Sequence, residues 1–305
     1  MSVFKTAFKD YSVKFIPFFK HRLAVATTQN FDKHDNGCLH ILDLSPTPSS
    51  PNSPSSMPPT ASTTSPDPNP TTTSSSTPLP TAPSNCTAPL SPQQDPYHPL
   101  SGHTNEAYSV DWSPIRSNSI ISISFDHTIK LWTIDRPTSV STFKGQDYCV
   151  YNVSWNPLLA NVFASASRDY TVRCCDVRNS RFTMTILASS NNREISSCDW
   201  NTFDDCLLAT GAIDNMVRVW DVRSIRTLIG VLVGHKYAVM KVKFLPHRQN
   251  MVMSLSLDRK VCIWDFTVED ALIEKYDRHT HYPAGIDMSV LDEGLLASNG
   301  WDGMT

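Results

Sequence analysis

A β-propeller, an all-β ring of four-stranded sheets, is the fold this sequence predicts, and three observations carry the prediction. An aspartate recurs at Asp126, Asp169, Asp214, Asp258 and Asp302, at intervals of 43, 45, 44 and 44 residues. The local text repeats with it: Ser-Phe-Asp-His-Thr, Ser-Arg-Asp-Tyr-Thr, Ala-Ile-Asp-Asn-Met, Ser-Leu-Asp-Arg-Lys and Gly-Trp-Asp-Gly-Met. Six residues beyond the first four aspartates stand Trp132, Cys175, Trp220 and Trp264, usually inside an apolar run. A period in the forties corresponds to one four-stranded blade.

The elements follow in order. Residues 12–44 read as a divergent first blade. Val13, Phe15 and Ile16 supply one strand, Arg22-Leu-Ala-Val-Ala-Thr a second and Cys38-Leu-His-Ile-Leu-Asp a third. Asn36-Gly37 between the last two is a hairpin turn signal. Residues 45–94 hold 14 of the chain's 22 prolines, mixed with Ser and Thr. Such text buries too little apolar surface to offset its ordering entropy. Residues 45–98 are therefore expected to be a disordered linker in place of a blade, between an N-terminal unit (1–44) and the repeats (99–305). The regular blades span His103–Trp132, then about 146–177, 191–222 and 235–266. A partial one runs from His279 to Thr305. The expectation is about five complete blades plus an incomplete last one, with strand edges left exposed.

The 305 residues are 40% hydrophobic and 18% charged, with net charge −3, enough apolar content for a packed body. No Lys/Arg block stands out, so the electrostatic footprint of a nucleic-acid binder is missing. No run approaches the ~20 apolar residues of a membrane span, and the N-terminus lacks a secretory pattern. The eight cysteines form no Cys-x-x-Cys pair and read as small buried hydrophobes in a reducing compartment. No metal site and no cofactor are expected.

Repetition also decides how the polar residues are read. An early His, the turn Asp, a Ser or Thr and the Trp make a hydrogen-bonded tetrad in WD40-type blades, closing partnerships that buried polar groups require. The sets His103, Asp126, Trp132 and His235, Asp258, Trp264 fit, and His279 with Asp302 begins another. Asp169 stands with Gln146 and Cys175, and Asp214 and Trp220 with Asn191, in place of the full set. Those two blades are expected to be held less tightly. Ser, His and Asp at a fixed period are a structural device rather than a catalytic triad. There is no Gly-rich phosphate loop, His-Glu-x-x-His or Gly-x-Ser-x-Gly, so an enzyme is not expected.

Function in a ring of this kind falls to one rim. The informative positions lie three and five residues after each early His, and just before each turn Asp. They give an aromatic and apolar platform with two carboxylates. The candidates for binding a peptide are Glu106, Tyr108, Phe125, Tyr151, Glu194, Tyr282 and Trp301, suited to an amphipathic helix that carries a basic residue.

Several stretches resemble one WD40 family in particular. Tyr11-Ser-Val-Lys-Phe-Ile-Pro-Phe-Phe-Lys, Arg22-Leu-Ala-Val-Ala-Thr-Thr-Gln-Asn-Phe, Asn36-Gly-Cys-Leu-His-Ile-Leu-Asp-Leu, Thr128-Ile-Lys-Leu-Trp-Thr-Ile-Asp-Arg-Pro, Tyr148-Cys-Val-Tyr and Asp287-Met-Ser-Val-Leu-Asp-Glu-Gly-Leu-Leu-Ala-Ser are similar to the receptors for the type 2 peroxisomal targeting signal. The wording is closest to plant members and covers residues 4–44 and about 100–305. The resemblance implies a seven-bladed cytosolic receptor for proteins bearing an N-terminal Arg-Leu-x5-His-Leu signal. It implies delivery to the peroxisome with a co-receptor, the long form of the type 1 signal receptor, and cycling between cytoplasm and peroxisome. It implies an acidic residue at Glu106 to pair with the signal's arginine. It implies neither nucleic-acid binding nor membrane insertion. A competing reading is a substrate adaptor of a cullin-4 ubiquitin ligase, from the Trp-Asp-x-Arg box at Val219-Trp-Asp-Val-Arg223.

Overall fold

The computed structural model describes residues 4–5, 9–15, 22–28, 37–43, 77–78, 86–89, 97–100, 102–105, 107–133, 135–136, 138–144, 146, 148–179, 181–187, 193–223 and 228–305. The first sheet holds β1 (Lys9–Phe15), β2 (Arg22–Thr28), β3 (Gly37–Asp43) and the two-residue β4 (Thr77–Pro78) in chain order. β5 (Cys86–Pro89) and β6 (Tyr97–Leu100) form an antiparallel pair. The rest of the expected linker lies outside the described residues. Next come four full meander sheets. The first is β7 (Ala107–Trp112), β8 (Ser119–Ser124), β9 (Thr128–Thr133) and β10 (Ser141–Lys144). The second is β11 (Val150–Trp155), β12 (Val162–Ser167), β13 (Thr171–Asp176) and β14 (Arg181–Leu187). The third is β15 (Ile195–Trp200), β16 (Leu207–Ala212), β17 (Met216–Asp221) and β18 (Leu228–Val233). The fourth is β19 (Val239–Phe244), β20 (Met251–Ser256), β21 (Val261–Asp265) and β22 (Leu272–Tyr276). β23 (Pro283–Met288) and β24 (Leu296–Gly300) begin the last.

The apolar core is divided among the interfaces between successive sheets. Ile121, Ile129 and Phe143 meet Val153, Trp155 and Phe163 of the next sheet. Ala164 and Val172 meet Ile195 and Trp200, and Val217 and Leu232 meet Val242 and Phe244. Met253 and Ile263 meet Ile286 and Met288. Val13, Phe15 and Leu23 of the first sheet meet Ala297 of the last. The two ends of the chain are thus packed together. Phe4 N–H donates to Thr305 O (2.8 Å), Thr305 N–H donates back to Phe4 O (2.9 Å), and Lys5 bridges Met304. The last sheet has two strands among the described residues, and the N-terminal segment adds an isolated bridge to the chain beyond β24. Gly285 permits this seam. A Cβ there would lie 2.6 Å from Asn299 Oδ1 and 3.0 Å from the Val13 backbone nitrogen.

The recurring aspartate has a backbone cause. The residue after each one is left-handed: His127 (φ 63°), Tyr170 (69°), Asn215 (69°), Arg259 (68°) and Gly303 (66°). That conformation is costly for residues other than glycine. The aspartate carboxylate holds it by accepting the N–H two residues on, from Thr128, Thr171, Met216, Lys260 and Met304. In the sets with histidine, the same carboxylate anchors a relay. Trp132 Nε1 donates to Ser122 Oγ (2.7 Å), Ser122 pairs with His103 Nε2 (2.7 Å), and His103 Nδ1 meets Asp126 Oδ2 (2.9 Å). With the indole as first donor, Ser122 donates to a neutral imidazole. Burial, which lowers the His103 pKa, fits that state. Trp264, Ser254, His235 and Asp258 repeat the relay at 2.7, 2.7 and 3.1 Å. Ser298, His279 and Asp302 repeat its lower half.

The two blades without histidine were expected to be looser, and an arginine offsets the loss. Arg173 Nη2 lies 3.0 Å from Asp169, and Arg218 Nη2 lies 2.6 Å from Asp214, each four residues past its aspartate. Trp220 Nε1 still donates to Thr210 Oγ1 (2.9 Å). Gln146 Nε2 donates to Ser165 Oγ (2.7 Å), but its Oε1 has no partner. Asn191 lies outside the described residues. Burial pushes the Cys174, Cys175 and Cys262 thiols up to about 12, so these cysteines are inert packing groups.

The innermost strands carry a further pattern. A side chain of one inner strand accepts a backbone N–H of the next: Asp111 from Trp155 (2.7 Å), Asn152 from Cys198 (3.1 Å), Ser197 from Val242 (3.2 Å), Asp199 from Phe244 (2.9 Å) and Asp287 from Phe15 (2.7 Å). From β19 to β23 the link is an ion pair instead, Lys243 Nζ to Asp287 Oδ1 at 3.2 Å. From β1 to β7 it is Lys14 Nζ to Asp111 Oδ1 at 3.3 Å. Lys14, Asp111, Ser154, Asp199, Lys243 and Asp287 form one polar ring about the central channel.

Three predictions follow from this packing. Gly285→Ala wedges the seam between first and last sheets and lowers unfolding free energy in urea by about 1–3 kcal/mol. Arg218→Met leaves the buried Asp214 carboxylate unpaired and costs about 3–5 kcal/mol in the same measurement, part of it recovered by adding Asp214→Asn. Stability also falls with acid. Unfolded His103 takes up a proton below about 6.5 while the folded one resists it. Burial opposes ionisation of Asp126, Asp258 and Asp302, but hydrogen bonds outweigh it and hold their pKa values below the ordinary one. Their stabilisation is complete above about pH 4 and is lost as pH falls through the lowered values. The urea midpoint is therefore expected to be flat near pH 7–8, to decline below about 6.5 and to drop steeply below about 4.

Candidate functional site

Each inner strand is bulged at one position. The antiparallel register skips Tyr11, Tyr108, Tyr151, Ser196, Met240 and Ala284. A bulge re-aims its side chain away from the regular alternation. Five of these six are the positions five residues after each early His or its substitute. Spacing alone did not single out Tyr11. The loop ahead of each inner strand is tied to the turn that holds the aspartate. Arg168 N–H donates to Cys149 O (3.0 Å), Ile213 to Glu194 (3.0 Å), Leu257 to Ala238 (2.9 Å) and Trp301 to Tyr282 (2.9 Å). These bonds bring the residue pairs singled out by spacing together on one rim.

Two groups occupy that rim. In one, Tyr151 Oη donates to Glu194 Oε2 (2.9 Å) and Arg168 Nε meets Glu194 Oε1 (2.9 Å). Burial first, then the Glu194 hydrogen bond, raises the Tyr151 pKa, so the phenol stays a neutral donor. Arg168 has its side chain 54% exposed. In the other, the His281 and Trp301 rings stack with centroids 5.8 Å apart, and Tyr282 stands edge-on to both at 4.9 and 5.9 Å. A cleft lined by Tyr237, Leu257, Arg259, Thr280, His281 and Tyr282 runs beside this cluster. Phe125, just before its turn aspartate, is half-buried. Tyr108 sits on β7 at its bulge, and Glu106 lies outside the described residues.

Spacing at three and five residues passed over the position two residues after each early His. That position carries Asn105, Tyr148, Arg193, Tyr237 and His281. Tyr148 and Tyr237 are 55% and 63% exposed, so they present more apolar surface to solvent than Tyr282 at 45%. The same period applied at one more offset would have found them.

Other candidate chemistry is already engaged. Arg223 of the Trp-Asp-x-Arg box forks onto its own Asp221, Nε to Oδ1 at 2.9 Å and Nη2 to Oδ2 at 2.7 Å. Arg178 does the same on Asp176, so Asp-Val-Arg closes a turn in two successive blades. Among the described residues, Asp204, Asp205 and Cys206 alone have metal-ligand spacing. There the Cys206 thiol donates to Asp205 (3.0 Å) and Arg223 stands 3.9 Å from Asp204. No helix among the described residues is long and apolar enough to cross a membrane.

Comparison with known proteins agrees with this architecture. The family pattern described as WD domain, G-beta repeat matches residues 94–133, 137–176, 181–221 and 226–265. The chain is 48% identical to Peroxisome biogenesis protein 7 of Arabidopsis thaliana, over 99% of this chain and 95% of that one. It is 35% identical to the Peroxisomal targeting signal 2 receptor of Dictyostelium discoideum, covering 96% and 93% of the two chains. It is 25% identical to the receptor of the same name from Saccharomyces cerevisiae, covering 97% and 96%. Bulged inner strands, tetrad-locked turns and similarity along nearly the whole chain converge: the protein belongs to the WD40-repeat family of peroxisomal targeting signal 2 receptors.

Proposed function

We propose that this chain is a cytosolic receptor for the N-terminal type 2 peroxisomal targeting signal, and that it hands its cargo to the import machinery with a co-receptor while cycling between cytoplasm and peroxisome. The observation that carries this reading is similarity to proteins of that name over almost the full length of both chains. The rim supplies suitable chemistry. An Arg-Leu-x5-His-Leu segment, folded as a helix, offers one apolar face and one cation. Exposed aromatic rings take the face, and a carboxylate takes the arginine.

The choice of carboxylate follows from what is already paired. Glu194 accepts from both Tyr151 and Arg168, so a signal arginine would have to displace Arg168 to reach it. Glu106 directly precedes in sequence β7, whose bulge residue is Tyr108, and it is the acidic position that the family resemblance marks. In this reading Glu106 binds the arginine, while Tyr108, Phe125 and Tyr151 flank it. Tyr282 and Trp301 serve the apolar end, and Glu194 holds Tyr151 and Arg168 in place. Binding of a peptide, with no bond made or broken, is the whole activity.

Fluorescence anisotropy of a labelled Arg-Leu-x5-His-Leu peptide tests this. Saturable binding is expected, weakened about 10–100-fold by arginine-to-alanine in the peptide or by Glu106→Gln in the protein, the range for losing a charge-assisted hydrogen bond. Binding that ignores the peptide's arginine, or no binding by folded protein, would remove the reading.

A further inference from the structure

We infer that the mouth of the central channel binds a small oxyanion, phosphate or carboxylate, through a layer of hydrogen-bond donors: Ser12, Ser109, Asn152, Ser197, Lys241 and Asn299. Five of these stand one step above the polar ring, each two residues before a member of it, and strand alternation gives both sets the same face. The polar ring is satisfied, and the layer above it is not. Among the described residues, Ser12 Oγ, Ser109 Oγ, Asn152 Nδ2 and Lys241 Nζ make no hydrogen bond or ion pair. Ser197 Oγ accepts from Val242 N–H (3.2 Å), which leaves its own O–H free to donate. Asn152 uses only its Oδ1, on Cys198. Asn152 Nδ2 and Lys241 Nζ can only donate, and the three serine hydroxyls can each turn to donate, so this level can present donors on five sides.

The sixth inner strand has Gly285 at this level, with no side chain to contribute. Its cross-strand partner is Asn299. The corresponding second-strand positions, opposite Ser12, Ser109, Asn152, Ser197 and Lys241, are Ala26, Ile123, Ala166, Gly211 and Leu255, none of them polar. Asn299 is fully buried, and neither its Oδ1 nor its Nδ2 has a partner. Its Oδ1 lies 2.6 Å from where a Gly285 Cβ would sit, so the amide enters the slot the missing side chain leaves, and a half-turn about χ2 exchanges Oδ1 for the Nδ2 donor there. A buried amide with both ends unpaired costs about 1–3 kcal/mol or more and calls for an explanation. A bound anion that accepts from Nδ2 explains the donor end.

The electrostatics agree with the geometry. Burial first, then Lys243 and, more weakly, Lys14, lowers the Lys241 pKa to about 8 against an opposing contribution from the Cys198 thiol, which places its ammonium near two other cations. The layer beneath does not oppose an anion strongly. Lys14 and Lys243 neutralise Asp111 and Asp287, and burial raises the Asp199 pKa. The site lies below the rim and stands independently of the peptide reading.

The test titrates the full chain calorimetrically, with ionic strength matched by chloride. Inorganic phosphate probes a free ion, and a short blocked peptide with a single glutamate probes a chain-borne carboxylate. Saturable binding of either is expected, and which one binds identifies the source. Lys241→Met should weaken it at least tenfold, and Lys275→Met on the outer strand β22 should leave it unchanged. Asn299→Leu should weaken binding while raising the melting temperature of the anion-free protein, a combination that a purely structural amide would not give. If neither probe binds the wild-type protein above the chloride control, or if Lys241→Met and Asn299→Leu both bind as the wild type does, the inference is overturned.

Discussion

The free edge of each innermost strand sets the constraint on which the rest of this structure depends. That edge faces the channel, where no further strand can pair with it, yet its amide groups need partners. The chain meets the need by lending a side chain from one inner strand to the backbone of the next: Asp111, Asn152, Ser197, Asp199 and Asp287 each accept such an N–H. A lysine cannot accept. Where Lys243 and Lys14 occupy the position, the bond becomes an ion pair with the neighbouring aspartate. One requirement thus yields both the interlocking of adjacent sheets and the alternating charge of the channel. It also ties the ends of the chain together, because Asp287 from the last sheet satisfies Phe15 in the first.

How much of this is legible in the text varies with the range of the interaction. The turn aspartates are legible because each serves its own hairpin, holding a left-handed residue such as Tyr170 or Arg259 by a bond two residues long. The rim is legible for the same reason: a bulge at a fixed offset from a fixed turn keeps the period, as Tyr151 and Met240 do. The polar ring is much harder to read. Its members are Lys, Asp, Ser, Asp, Lys and Asp in chain order, six residues of three chemical types, and only their neighbours in space explain them. Arg173 and Arg218 were missed because a replacement for histidine came from a different strand position. The pairing of Phe4 with Thr305 joins positions 301 residues apart, and no local pattern announces it.

The division of labour between layers follows from how tightly each is satisfied. The tetrads below the turns close all their donors and acceptors in two blades, and their residues are free to do nothing else. On the rim, Tyr148, Tyr237 and Tyr282 are anchored through their backbone, while their rings meet solvent. Recognition residues can therefore differ from blade to blade without disturbing the turns that carry them. Glu194 shows the intermediate case. Its backbone carbonyl ties the turn through Ile213, and its carboxylate orients Tyr151 and Arg168, so it shapes the platform from one level down.

The bulges connect these layers. In a regular strand, alternation would point residues 151, 196 and 240 opposite to residues 152, 197 and 241 and bury them between sheets. The extra residue breaks the alternation once, at the rim end of each inner strand, and the chain resumes its period below. The side chain at the break is released from the core while the next one keeps its place in the channel. Deleting the bulged residue would restore a regular ladder, because the partner strand is already continuous across it: Val150 pairs with Ser167 and Asn152 with Ala166. The loss would fall on the rim, which would give up one exposed side chain per blade, while the aspartates and lysines of the polar ring kept their face. The insertion thus adds a rim residue without moving the channel residues, and it recurs in all six inner strands described, including β1, whose text otherwise departs from the repeat.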